Sequence, residues 1–401
     1  CLVGSEMCIR DRDRLLAGLS PEQRRASYDL LHDIPDEVAR VLDREGIDCD
    51  YRKGGVLYTA ARYPEQETRL REYLAHLHAE GLTEDDYRWL SKSELAEQLR
   101  IPSALGAIHT PHCATIDPAK LVRGLARAVE RQGTPIFEKS RVTHWAPGQL
   151  RTDQGELKAH WIVPAIEGYA AALPPLGNYQ LPVQSLLVAT EPLPDSVWAE
   201  IGLDKGQAFS EFSRQVTYGQ RTPDNRLAFG ARGGYRFGGK LRNDFSLTDD
   251  EVGLRRYLFS ELFPQLKDVR ITHTWGGNLG MSRRFHPHML IDRRHGIALS
   301  GGYGGEGVGA TNLGGRTLAD LILGQDSALT RQPWVIHDRS VQDGLRGWEP
   351  EPCRWLGYNA IIRSFVHEDN VLANPHSAPW RRRLAEKVAA SMENLMTWKV
   401  G

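Results

Sequence analysis

Cysteine is scarce in this chain: there are five in 401 residues (Cys1, Cys8, Cys49, Cys113, Cys353), and no two form a CxxC pair. That usage argues against a zinc ribbon or a disulfide scaffold and leads us to expect a cytoplasmic protein. Charge of one sign is equally lacking, with 50 Lys+Arg against 51 Asp+Glu and a formal net charge of −1. Such balance speaks against a nucleic-acid partner or a polybasic membrane binder. No apolar run approaches the roughly 20 residues that span a bilayer, so no transmembrane segment is expected. There is no GxSxG elbow, no HExxH, no internal repeat and no low-complexity tract. What is present is ordinary globular composition, 41% hydrophobic and 25% charged. At roughly 100–200 residues per domain, the length admits two or three domains.

The first twelve residues, CLVGSEMCIRDR, have neither an amphipathic period nor a signal-peptide layout and read as an artefactual leader. Thereafter the punctuation is clearer. Ser20-Pro21-Glu22-Gln23 opens a helix, with Ser able to cap and Gln23 at the capping-box position. A second helix follows Pro35, with Val38, Val41 and Leu42 on one face and Gly46 as its stop. Residues 52–60 read as a strand, and Ser91 to Glu94 cap another helix. Asp117 caps a helix over 118–132, whose buried stripe is expected at Leu121, Val122, Leu125 and Val129. Short β segments are expected at 136–137, 141–145 and 157–163, with a turn at Asp153-Gln154-Gly155. Residues 182–273 suggest an antiparallel sheet with one helix near 249–262. The tail from Gln325 is rich in Trp, Arg and Pro and shows no long periodic element.

The chemistry concentrates in GGYGGEGVGATNLGG, residues 301–315, which hold eight of the 39 glycines. An apolar strand, Ile297 to Ser300, precedes it, and a helix to about Leu323 follows. Strand, bare backbone and helix start together make an anion site, because the first-turn N–H groups carry partial positive charge. No Lys-Ser or Lys-Thr follows the glycines, so this is not a nucleotide-hydrolysing loop. Close packing is the expected reason for Gly314 and Gly315 inside the helix.

The segment resembles the C-terminal flavin loop of FAD-dependent oxidoreductases of the D-amino-acid oxidase superfamily, which includes glycine, sarcosine and γ-glutamylputrescine oxidases. Asp117-Pro118 resembles the family's Asp-Pro helix start. Ile162 to Tyr169 resembles its strand and Ala-x-Gly turn, and Trp275-Gly276-Gly277 with His286-Pro287 resembles the stretch leading into the flavin loop. The likeness spans roughly Leu15 to Leu323. It implies FAD as cofactor, held by Val142, Ala165, Gly168, Gly302, Tyr303, Gly304, Gly305, Glu306, Gly307 and Val308. It departs from the family in three places. No strand–GxGxxG–helix segment precedes Ser20, Glu306 stands where many relatives have His, and Asn278 stands where some have Arg.

The implied fold class is mixed α/β. A three-layer FAD-binding domain (13–48, 101–181, 286–330), its N-terminal βαβ expected to be missing, interleaves with an antiparallel-sheet substrate domain (49–100, 182–285). Residues 331–401 form an extension of open role. The implied activity is oxidation of a C–N bond of a small-molecule amine or amino acid, with hydride passing to flavin and then to oxygen or a carrier. Trp275, Arg232, Tyr218 and Tyr235 are the candidates for substrate contact, and Arg283 and Arg284 precede the loop. A non-catalytic binding or scaffold protein derived from a flavoenzyme is the alternative. His109 with His112, and His286 with His288, bring no second matching ligand pair, and no metal is expected. Trp380-Arg381-Arg382-Arg383 reads as a solvated helix face.

Overall fold

The computed structural model describes residues 2–4 and 15–397. The leader expected over 1–12 lies largely outside them; within it, β1 (Leu2–Gly4) pairs antiparallel with β5 (Cys113–Thr115).

The helices that carry capping chemistry form where that chemistry predicts. α1 (Pro21–His32) starts at Ser20, whose side chain accepts from the Gln23 N–H while Gln23 reaches back to the Ser20 N–H. α2 (Ile34–Glu45) ends at Gly46, and α3 spans Pro64–Ala79. α4 (Lys92–Ala96) repeats the reciprocal cap with Ser91 and Glu94. α5 (Pro118–Arg131) begins at Asp117, which accepts from the N–H groups of Ala119 and Lys120.

The face of α5 differs from expectation. Its buried residues are Gly124 and Ala128, while Val122, Leu125 and Val129 are exposed. The cause is close approach: a Cβ on Gly124 would stand 2.4 Å from Ile47 Cγ2, so the small-residue edge turns inward.

Beyond α5 a small sheet of β6 (Val142–Ala146), β7 (Gln149–Thr152) and β8 (Glu156–Lys158) takes the place of the three expected segments. Ile136 and Phe137 are exposed coil, and Ile162 contributes only an isolated bridge to Ile297.

The main sheet has eight strands in the order β13-β9-β12-β11-β10-β2-β4-β3. These are β2 (Val56–Ala60), β3 (Arg88–Ser91), β4 (Gly106–Thr110), β9 (Gln180–Thr190), β10 (Ala208–Glu211), β11 (Thr217–Arg221), β12 (Leu227–Tyr235) and β13 (Ile271–Ser282). Every pairing is antiparallel except β2 with β10, which joins the two sequence-distant halves. Two helices interrupt the 182–273 region, α6 (Asp195–Ile201), which patterning missed, and α7 (Asp249–Leu262).

One face of this sheet is sealed by a core of Leu57, Phe209, Phe229 and Val188 against Phe259 of α7 and Trp198 of α6. The other face carries Tyr58, which joins the larger core with α1, α2 and the helix α8 (Gly307–Leu323). A third sheet, β14 (His288–Asp292), β15 (Ile297–Gly301) and β16 (Val335–His337), backs α8.

The tail corrects the expectation most. After the short α9 (Val341–Gly344) it forms two long helices, α10 (Cys353–Ala373) and α11 (Pro379–Thr397). Hydrophobic periodicity missed them because α10 buries Glu368 and Asp369 as well as Phe365 and Leu372. No helix among the described residues is long and apolar enough to cross a membrane.

Candidate functional site

β15 delivers the chain into the glycine loop, and α8 takes it away. Gly302, Gly304 and Gly305 have φ of 78°, 65° and 116°, left-handed backbone that side-chain-bearing residues rarely adopt. Glu306 is the N-cap of α8 and makes no side-chain capping bond, so the first-turn N–H groups of Gly307 and Val308 stay directed at the loop. Tyr303 is buried and anchors the turn through its hydroxyl, 2.6 Å from Ser300 Oγ. A Cβ on Gly314 would lie 2.5 Å from Ser300 Oγ and 2.9 Å from the Tyr303 hydroxyl, which accounts for that glycine. Gly315 faces open space, so close packing does not explain it.

The Ala165–Gly168 turn reaches the same place through a residue that sequence reasoning passed over. Glu167 has φ 40°, and its carboxylate accepts from the Tyr303 N–H at 3.3 Å and from the Gly280 N–H. Burial pushes its carboxyl up to about 7, against those two N–H groups, which favour the charged form. Gly168 presses on β13, where its Cβ would stand 2.3 Å from the Asn278 carbonyl, and Ala165 is exposed. The Val142 side chain packs in a small core with Ile162 and Leu299. The only sequence signal for Glu167 is an acidic residue inside an otherwise apolar stretch.

Strand register decides which candidates share a face. Trp275 pairs with Leu187, Leu279 with Val183 and Met281 with Leu181, while Arg232 pairs with Ser185 and Tyr218 with Gly230. Alternation then puts Trp275, Leu279, Met281, Arg232 and Tyr218 on one face, with Tyr235 beside Val183. That face meets the glycine loop: Leu279 Cδ1 lies 3.3 Å from the point a Cβ on Gly305 would fill.

On this face the Tyr218 hydroxyl bonds Ser185 Oγ, and its ring leaves no room for a side chain at Gly230. The Tyr235 hydroxyl donates to Glu351 Oε1 at 2.5 Å. Trp275 is 38% exposed, so it is not core. Arg283 is buried and forks onto Glu349 at 2.8–3.1 Å. Asn278 points to the other side, where its amide exchanges two hydrogen bonds with the Arg242 backbone.

The histidines have separate settings. His288 is buried, and burial pushes it down to about 4; its Nε2 has no hydrogen-bond partner among the described residues. His112 stacks on His32 at 3.7 Å and 3°, both beside Asp86, which Arg25 holds at 2.7 Å. An ion in the plane of one ring would sit well outside the plane of the other, so this geometry suits a stacked pair over a carboxylate. Arg382 pairs with Glu65 at 2.6 Å, which makes part of the basic tail run an internal latch.

Residues 13–321 match the DAO family, described as FAD dependent oxidoreductase. The "Probable oxidoreductase OrdL" of Haemophilus influenzae is 27% identical over 77% of this chain and 71% of its own. The gamma-glutamylputrescine oxidoreductase of Escherichia coli is 26% identical over 79% and 72%. Among solved structures, the glycine oxidase of Geobacillus kaustophilus superposes with a TM-score of 0.65 at 19% identity, covering 84% of this chain and 89% of that one. The same fold recurs in the L-proline dehydrogenase of P. horikoshii, with a TM-score of 0.63 at 18% identity over 80% and 85%. Because the family match over residues 13–321 covers most of its length, this chain belongs to the DAO family of FAD-dependent oxidoreductases.

Proposed function

We propose that the chain oxidises a C–N bond of a small-molecule amine or amino acid. The observation that carries this reading is the left-handed glycine loop at an uncapped helix start, lying against the sheet face of Leu279, Trp275, Arg232 and Tyr218. The residues fit the ring end of a flavin. A cradle without side chains at Gly302, Gly304 and Gly305 adjoins the first-turn N–H groups of Gly307 and Val308, where negative charge is favoured.

What FAD supplies when bound is a hydride acceptor. The protein's part is to fix the substrate C–H bond over the loop, exclude water and favour negative charge beside the α8 N-terminus. Glu167 ties Tyr303 to β13 and so holds the loop in place, and the sheet face supplies the substrate's wall. Hydride lost from the carbon bearing nitrogen would leave an imine for water to hydrolyse, with oxygen or a carrier as the final electron acceptor.

We assign 13–48, 101–181 and 286–330 to an FAD-binding part and 49–100 and 182–285 to a substrate part. The eight-stranded sheet includes β4 and so carries the substrate part on to Thr110.

The test is uptake of FAD by the purified protein. Anaerobic titration with polyamines, N-methyl amino acids and D-amino acids follows, with oxygen and an artificial acceptor as oxidants. Bleaching of the flavin band by one of these classes is expected. A protein that takes up no FAD, or whose flavin no amine reduces, refutes the proposal.

A further inference from the structure

Where the sheet meets the tail, a partly open cavity of about 210 Å³ forms. Leu181, Val183 and Met281 form its floor, and Trp348, Tyr358 and Phe365 of the tail form the opposite wall. That volume is room for a small organic group, not just a single water. The lining is mostly apolar, and its polar groups are largely three arginines, Arg232, Arg283 and Arg354, with one carboxylate, Glu349.

Two of these arginines are neutralised. Arg283 forks onto Glu349 at 2.8–3.1 Å, and Arg354 pairs at 3.3 Å with Glu351, which also receives the Tyr235 hydroxyl. Arg232 is half-buried and has neither an ion pair nor a side-chain hydrogen bond among the described residues. The lining therefore carries one uncompensated positive charge. A guanidinium against an apolar wall is costly until an anion reaches it, and its planar fork matches a carboxylate.

Position ties this cavity to the loop. Met281 in the floor is two residues along β13 from Leu279, roughly 7 Å on the same face, and Leu279 touches the glycine loop. β12, which bears Arg232, lies two strands from β13, about 10 Å. An arginine side chain and a carboxylate together bridge that gap.

We propose that this cavity, half built by the tail beyond the family-matched residues 13–321, is the specificity pocket, and that Arg232 in it binds the substrate's carboxylate. The substrate is then an amino acid with a short apolar side chain, and polyamines are excluded. This rests on the reading above that the sheet face is the substrate's side.

The probe is 3-methylbutanoate, which has seven non-hydrogen atoms, set against 3-methylbutylamine, the same skeleton with the opposite charge. Tryptophan fluorescence reports on the wall through Trp348, and the thermal midpoint gives a second readout; neither needs flavin. The carboxylate is expected to bind saturably and raise the midpoint, and the amine to do neither. Arg232→Met is expected to weaken carboxylate binding at least tenfold, with Arg232→Lys in between and the unliganded midpoints of both close to wild type. Equal binding of the amine, no binding of the carboxylate, or full binding by Arg232→Met overturns the proposal. A flavin-loaded protein reduced by diamines as fast as by amino acids also overturns it and leaves amine oxidation standing. Carboxylate binding that depends on Arg232 in a protein that takes up no FAD supports the pocket and refutes the oxidation.

Discussion

Glu167 shows how much of the site rests on one side chain. Its carboxylate joins three segments far apart in sequence: its own turn, Tyr303 of the loop and Gly280 of β13. Gly280 is bound to be glycine, because a Cβ there would stand 1.8 Å from Glu167 Oε2. Burial holds the carboxyl near 7, above the ordinary glutamate value of 4.5. An acid raised in the folded state stabilises it fully below the unfolded value and loses that contribution as pH rises through the folded one. Wild-type stability relative to Glu167→Gln should therefore fall by up to about 3 kcal/mol between pH 4.5 and pH 7.5. Urea unfolding across that window measures it, and a pH-independent difference refutes the assignment. His288 works in the opposite sense. A histidine pushed down to about 4 by burial is neutral when folded, so stability drops as pH falls from 6.5 toward 4. Urea unfolding of His288→Asn should show a flatter acid limb than wild type.

At the level of single elements, α8 carries its own internal control. Gly314 and Gly315 are adjacent in sequence and helical alike, yet one abuts Ser300 and Tyr303 and the other faces open space. Gly315→Ala should stabilise by about 1 kcal/mol, the ordinary advantage of alanine within a helix. Gly314→Ala should destabilise by about 1–3 kcal/mol, because the new methyl must displace the Ser300–Tyr303 pair that anchors the loop. Thermal unfolding separates the two signs. This contrast also marks what the sequence could tell. Element starts were legible because capping is local: Ser20 with Gln23, Ser91 with Glu94 and Asp117 all act within three residues. Faces were not, since α5 turns Gly124 inward only because Ile47 meets it there. The site was legible as motifs through the family resemblance. That Trp275, Arg232 and Tyr218 share a face depends on strand register, which no single segment encodes. The tail helices stayed hidden because buried carboxylates break the apolar period by which a helix is read.

For the molecule as a whole, the question is what holds the tail against the sheet, since half the cavity wall belongs to it. Apolar contact comes from Trp348, Trp355 and Tyr358 of the tail against Leu181, Val183, Tyr235 and Met281, while α10 and α11 share Ile361, Phe365 and Ala389. Charge supplies the rest. Glu368, fully buried, takes Arg69 at 2.7 Å and Arg214 at 2.8 Å. Arg69 also reaches Glu386 at 3.0 Å, Arg214 reaches Glu393, and Tyr63 donates to Asp369 at 2.8 Å. Arg382 closes the far end on Glu65. Replacing the central carboxylate leaves two enclosed guanidiniums short of their counter-charge, a change that costs about 3–5 kcal/mol. In Glu368→Gln that loss falls first on the docking of the tail. Hydrogen exchange should accelerate across 353–397, while β9, β12 and β13 keep their protection. α10 lines the cavity from Cys353 to Phe365, so the same variant should also weaken 3-methylbutanoate binding although Glu368 does not line it. Arg382→Met breaks only the outer latch and should do both to a smaller degree. Unchanged exchange in the tail would mean that apolar packing alone seats it. Faster exchange with undiminished binding would mean that the wall at Trp348 and Tyr358 holds its shape without the charges behind it.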